Sequence, residues 1–114
     1  MGKLSREKGK RFERAIVRWF DALGGKAKRL APMQAGSPED FADVRAEIFG
    51  LVLEVECSHG KAPPVWRKLA QMEAQRREQD AIGLCILKRD GEKPIAIFRL
   101  DDLGRLMLGC FDAK

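Results

Sequence analysis

At 114 residues, with 45% hydrophobic and 34% charged side chains, the chain is long enough for one domain that buries roughly two-thirds of its unfolded surface, and too apolar to remain disordered. It has no apolar run of membrane-spanning length and no charged-then-apolar leader, so a cytoplasmic protein without membrane association is expected. The 22 Lys and Arg outnumber the 17 Asp and Glu, and the resulting net charge of +5 favours polyanionic partners.

Taken in chain order, the first predicted element is a helix capped by Ser5 and running to Leu23, where Gly24-Gly25 stops it. Phe12, Ile16, Trp19, Phe20 and Leu23 recur at helical spacing as one apolar stripe. Lys8, Lys10, Arg11 and Arg14 belong to a basic amino-terminal segment suited to phosphate contacts. Glu13 borders the stripe, where it can reach inward; its surface alternative is a weak pair with Lys10. A short strand is predicted over 26–30, then a Pro- and Gly-containing loop over 31–38.

Two further strands follow, Asp43–Glu47 and Leu51–Cys57, joined by a corner at Ile48-Phe49-Gly50 that reads as an antiparallel hairpin. In Leu53-Glu-Val-Glu-Cys57 the side chains alternate with a strand's period of two, which sets Glu54 and Glu56 on one face. If Phe49-Gly50 is a two-residue turn, Asp43 lies opposite Glu56 on that same face. Ser58 to Pro64 breaks off the hairpin, with His59 expected as a loop residue near the acids. A helix over 65–79 presents Val65, Leu69 and Met72; the apolar run 81–87 reads as a strand covered on both faces. Asp90-Gly91 turns the chain into a strand over 94–100, and Asp101 caps a last helix carrying Leu103, Leu106 and Met107.

The cysteines are odd in number and sit in apolar runs. Cys57, Cys85 and Cys110 are therefore expected as reduced core thiols, and Cys57-Ser-His59 lacks the second close-spaced pair that structural zinc requires.

Charge is distributed unevenly. Residues 39–56 hold Glu39, Asp40, Asp43, Glu47, Glu54 and Glu56 against Arg45 alone, whereas residues 1–29 carry a large basic excess. Like charges facing one another across a strand ladder are destabilising. Either the acidic face is simply solvated, or a divalent cation compensates it; clustered carboxylates suit Mg²⁺ or Mn²⁺. A basic body that attracts a polyanion, with an acidic pocket that holds the ion used to cut it, points to a nuclease.

The order of elements, the opening Arg6-Glu-Lys-Gly-Lys-Arg-Phe-Glu13, Gln34-Ala-Gly36 before Ala42-Asp-Val44, Leu53-Glu-Val-Glu56 and Leu69-Ala-Gln71 together resemble the PD-(D/E)XK nuclease superfamily, most closely its small phage and archaeal Holliday junction resolvases. The resemblance covers nearly the whole chain. It implies one α/β domain over residues 1–114 with the restriction-endonuclease-like fold, a mixed sheet flanked by helices in the order αβββαββα. It further implies Mg²⁺- or Mn²⁺-dependent hydrolysis of DNA, branched DNA as partner, and a homodimer matching the paired cleavage positions of a junction. By the same resemblance Asp43 and Glu54 are the metal ligands, Asp40 being the alternative to Asp43, Glu13 is a supporting acid acting through a water, and Gln71 is a neighbour of the site. The family usually has Lys where this chain has Glu56. A glutamate can accept the attacking water's proton or bind metal, but supplies no positive charge. Lys61 could swing back to replace that ammonium; otherwise the chain has kept DNA binding and lost cleavage. A third possibility, an interaction or inhibitor protein using the acidic face, leaves the basic amino terminus without a purpose.

Overall fold

A computed structural model describes residues 3–30, 43–60, 64–75 and 80–112. Three helices and five strands follow one another as α1 (Lys3–Ala22), β1 (Lys26–Arg29), β2 (Val44–Ile48), β3 (Leu51–His59), α2 (Val65–Gln75), β4 (Ile82–Lys88), β5 (Ile95–Ile97) and α3 (Leu100–Asp112). The strands form one sheet in sequential order, antiparallel except for β3 and β4, which run parallel on either side of the α2 connection. This is the mixed, helix-flanked α/β architecture expected from the sequence.

Period-two patterning sends alternate residues of the sheet into two different cores. Val44, Ala46, Ile48, Leu53, Val55, Ile82, Leu84 and Ile86 face α1 and pack against Phe12, Ile16 and Phe20. On the opposite face Cys85 and Leu87 pack against Leu69 and Met72 of α2. Gly83 belongs to that second face. A Cβ there would overlap the Met72 thioether, which is fully buried with nowhere to move. The missing side chain therefore lets α2 settle closely over β3 and β4.

The hairpin turn has the two-residue form, with Ile48 paired to Leu51. Phe49 and Gly50 both have positive φ, 57° and 73°, as a type I′ turn requires. Phe49 is an unusual choice for such a position, which Asn or Gly occupies without steric cost.

Several elements differ from their sequence expectation. Helix α1 begins at Lys3, so Ser5 lies inside it rather than at its cap. Trp19 and Leu23, assigned to the buried stripe, are 55% and 53% exposed. Pairing of Ser58 with Leu87 and His59 with Lys88 extends β3 through a stretch read as loop. The last strand shortens to three residues because β5 is an edge pairing only with Cys85, Ile86 and Leu87. Helix α3 starts at Leu100, which puts Asp101 and Asp102 in its first turn, where negative charge suits the helix dipole. Of its apolar residues Leu106 packs on the core, while Leu103 and Met107 are exposed. Cys110 is also exposed, unlike buried Cys85 and half-buried Cys57, and all three thiols are free. The 31–38 loop and residues 76–79 of the expected second helix lie outside the described residues. Among the described residues no helix is long and apolar enough to cross a membrane.

Candidate functional site

The acidic residues gather where β2 begins beside the middle of β3. Asp43 stands one position beyond the Val44–Val55 pair and is tied into the ladder by its own N–H, which donates to the Val55 carbonyl at 3.0 Å. That register brings it beside Glu56, the arrangement expected from a two-residue turn. The Cys57 N–H donates to Asp43 Oδ2 at 2.9 Å and fixes the carboxylate's orientation.

The acidic face is not a solvated one. Glu54 and Glu56 are 3% and 4% exposed, because α2 covers the sheet on that side. Burial is the largest cause pushing the Glu56 carboxyl up to about 8, and the neighbouring Asp43 charge adds to it. Asp43 is raised in the same direction, again first by burial, against the lowering effect of the Cys57 N–H. Burial and proximity thus both oppose the charged form of this pair. Glu56 Oε1 is nevertheless buried without a hydrogen-bond partner among the described residues, while Oε2 accepts from Gln71 Nε2 at 3.0 Å. Gln71, the neighbour of the site implied by the resemblance, is thus brought into the cluster by α2.

Glu13 reaches the same region from α1, across the sheet edge, and its charge raises Asp43 and Cys57. Its partner is Arg29 of β1, whose Nε lies 3.0 Å from Glu13 Oε1, and not Lys10. Burial is the main reason that the Cys57 thiol is held far above its ordinary range, so it remains neutral and unreactive.

The second group of predicted residues divides. Lys10, Arg11 and Arg14 are exposed along α1. Lys8 is instead bound to Asp90 at 2.8 Å. Asp90 also lies 3.0 Å from His59 Nε2, and the His59 ring packs 5.5 Å from that of Phe12. His59 is therefore a braced strand residue. Lys61 lies outside the described residues.

Lys68 was missed by the sequence reading. It projects from α2 with Nζ 4.0 Å from Glu56 Oε2. The signal available was its spacing, three residues before Gln71 on one helix flank, but the seating of α2 over β3 was not readable.

As a donor set, Asp43, Glu54 and Glu56 offer hard carboxylate oxygens. Among the described residues no three Asp, Glu, His or Cys groups converge closely enough to enclose an ion by themselves. That agrees with Mg²⁺ chemistry, in which one or two carboxylates hold the ion and water and phosphate oxygens complete its shell. The orphaned Glu56 Oε1 and the mutual repulsion of two buried carboxyls both fit residues that would hold a cation. A cavity of about 380 Å³ between α1 and β5 is lined mainly by apolar side chains, among them Phe12, Ile16, Trp19, Ile86 and Ile95, together with Lys88, and contains none of the acidic residues.

A model of the archaeal Holliday junction resolvase (Hjc) family matches residues 4–106. Among solved structures, Archaeoglobus fulgidus Hjc, a Holliday junction resolvase from an archaeal hyperthermophile, superimposes with a TM-score of 0.64 at 24% identity, over 79% of this chain and 76% of that one. A comparison with curated protein sequences found no match.

Without metal, the proton on Glu56 makes stability depend on pH in a definite direction. Both folded and unfolded chains hold that proton below the ordinary carboxylate value of 4.5; between there and about 8 only the folded chain does, so stability falls as pH rises through that window. Melting temperature measured in chelator from pH 5 to 9 should decline for the wild type and decline less for Glu56→Gln, which cannot ionise. A flat wild-type profile would contradict the raised Glu56 carboxyl.

Proposed function

The chain belongs to the archaeal Holliday junction resolvase family, a junction-resolving group of nucleases, and on that premise we propose that its acidic cluster is a Mg²⁺- or Mn²⁺-dependent site for phosphodiester hydrolysis. The observation that carries this is the burial of Asp43 and Glu56 against each other with one carboxylate oxygen left without a donor. A fold that needed only stability would replace such a pair with apolar residues at little or no loss.

Asp43 and Glu54 would hold the ion, which when bound supplies Lewis-acid stabilisation of charge on the phosphate and lowers the pKa of water. Asp43 is oriented for this by the Cys57 N–H. Glu56, oriented by Gln71, accepts the proton of the attacking water. Glu13, neutralised by Arg29, acts at one remove and tunes the charge at Asp43. Lys10, Arg11 and Arg14 bind backbone phosphates, holding DNA by charge without reading its sequence.

The substrate is branched DNA, and the working unit in this proposal is a homodimer. A four-way junction offers symmetry-related cleavage positions, which a two-fold pair of sites matches. The exposed apolar side chains of α3, Leu100 at 80%, Met107 at 64% and Leu108 at 65%, provide material for a self-complementary contact. Sedimentation of the protein alone should give twice the 12.8 kDa chain mass; a monomer at cleavage concentrations would refute the dimer.

Asp43→Ala and Glu54→Ala should each lower junction cleavage by roughly 10²-fold or more while leaving junction binding intact, because removing acidic charge cannot weaken attraction to phosphate. Undiminished cutting by Glu54→Ala would remove it from the site. Replacing Lys10, Arg11 and Arg14 together by Ala should weaken binding to DNA of any sequence and reduce the slope of log affinity against log salt by about one unit per lost contact. An unchanged slope would place the binding surface elsewhere.

A further inference from the structure

We propose that Lys68, on α2, is the catalytic ammonium of this site, supplying from the helix the positive charge that Glu56 cannot supply from the strand. The inference rests on the nuclease reading of the acidic cluster and assigns within it a role that has no occupant on β3.

Position and availability both support Lys68. It lies on the flank of α2 that also carries Gln71, one turn further along, and both side chains approach the same Glu56 oxygen. Gln71 makes the hydrogen bond, at 3.0 Å. Lys68 Nζ stands off at 4.0 Å, too far for a hydrogen bond, and among the described residues it makes no other. A side chain only 23% exposed is thus held beside buried carboxyls with its N–H donors unspent. Were its role purely structural, a closed ion pair would be the expected geometry, because a buried charge without hydrogen bonds is costly. Three other cations among the described residues are committed: Arg29 to Glu13 at 3.0 Å, Arg45 to Glu47 at 2.6 Å, and Lys8 to Asp90 at 2.8 Å. The charge of Lys68 already acts on Asp43 and Glu56, opposing the effect of burial on both.

The chemistry is the hydrolysis described above. The water oxygen bonds to phosphorus as the bond to the leaving sugar oxygen breaks; the water's proton passes to the Glu56 carboxylate, and the leaving oxygen takes a proton from solvent. Lys68 keeps its own proton throughout. Its unspent donors bond a non-bridging phosphate oxygen, where negative charge grows in the transition state, and a fixed donor at that point acts on the rate more than on binding.

Single-turnover and steady-state cleavage of a four-way junction at saturating Mn²⁺ tests this with wild type, Asp43→Ala, Lys68→Met and Lys68→Arg. Met keeps the apolar stem of Lys68, so α2 stays seated. Lys68→Met should lower kcat by roughly 10²-fold, with KM changed by less than about 3-fold. Lys68→Arg, which keeps the positive charge, should recover at least about 10-fold over Lys68→Met. A kcat for Lys68→Met equal to wild type, while Asp43→Ala is inactive, would overturn the assignment and leave the nuclease reading standing. Loss that Arg does not repair at all would overturn it as well, since shape rather than charge would then be what was removed. Wild type inert on junction DNA would overturn both the assignment and the reading on which it rests.

Discussion

Two carboxyl groups forced together out of water set the terms for this molecule. Asp43 and Glu56 are brought side by side by a hairpin register, then covered by α2 until Glu56 has almost no contact with solvent. Either a proton or a cation must enter the pair, since neither burial nor proximity allows both to remain charged alone. The surrounding groups can be understood as ways of living with that constraint. The Cys57 N–H steadies one carboxylate and the Gln71 amide the other. Arg29 cancels Glu13 before its charge can add fully to theirs.

The sheet makes such a cluster possible by separating two tasks. Side chains facing α1 form a purely apolar core, which supplies most of the burial, and the other face is divided between a smaller apolar patch under α2 and the acidic residues beside it. Because alternation assigns neighbouring residues to different faces, Leu53 and Val55 can be core while Glu54 and Glu56 serve the site without either compromising the other. The parallel β3–β4 pairing, with α2 as its connection, is what folds Lys68 and Gln71 back over the strand that precedes them.

What could be read from the sequence was whatever depends on local period and on turn chemistry. The alternation in β3, the Phe49-Gly50 turn and hence the pairing of Asp43 with Glu56 all follow from neighbours along the chain, and they appear as expected. The apolar run 81–87 announced a strand covered on both sides for the same reason. What was not legible depends on how elements seat on one another. Alternation shows which face Glu54 and Glu56 share, but not that α2 will cover it. Helical spacing marks Trp19 as apolar-stripe and Lys68 as flank; only packing determines that the first is exposed and the second lies over the acids. The pairing of Glu13 with Arg29 joins α1 to β1 across a turn, and no spacing rule singles out that partner over Lys10. Exposure of Leu100, Met107 and Leu108 on an amphipathic α3 is equally invisible to periodicity, which reports a stripe without saying what meets it.

The absence of a side chain at Gly83 has a bearing on how this site could be rebuilt elsewhere. Met72 occupies the space that any Cβ would take, so the distance between the helix layer and the sheet is set by a hydrogen atom in β4. Lys68 is one turn before Met72 on the same helix, and its reach is measured from that layer. Copying the charged residues into another α/β scaffold would reproduce the composition of the cluster but not its spacing, unless the glycine beneath the helix were copied too. In that sense an uncharged, chemically silent position is part of the acidic cluster's specification.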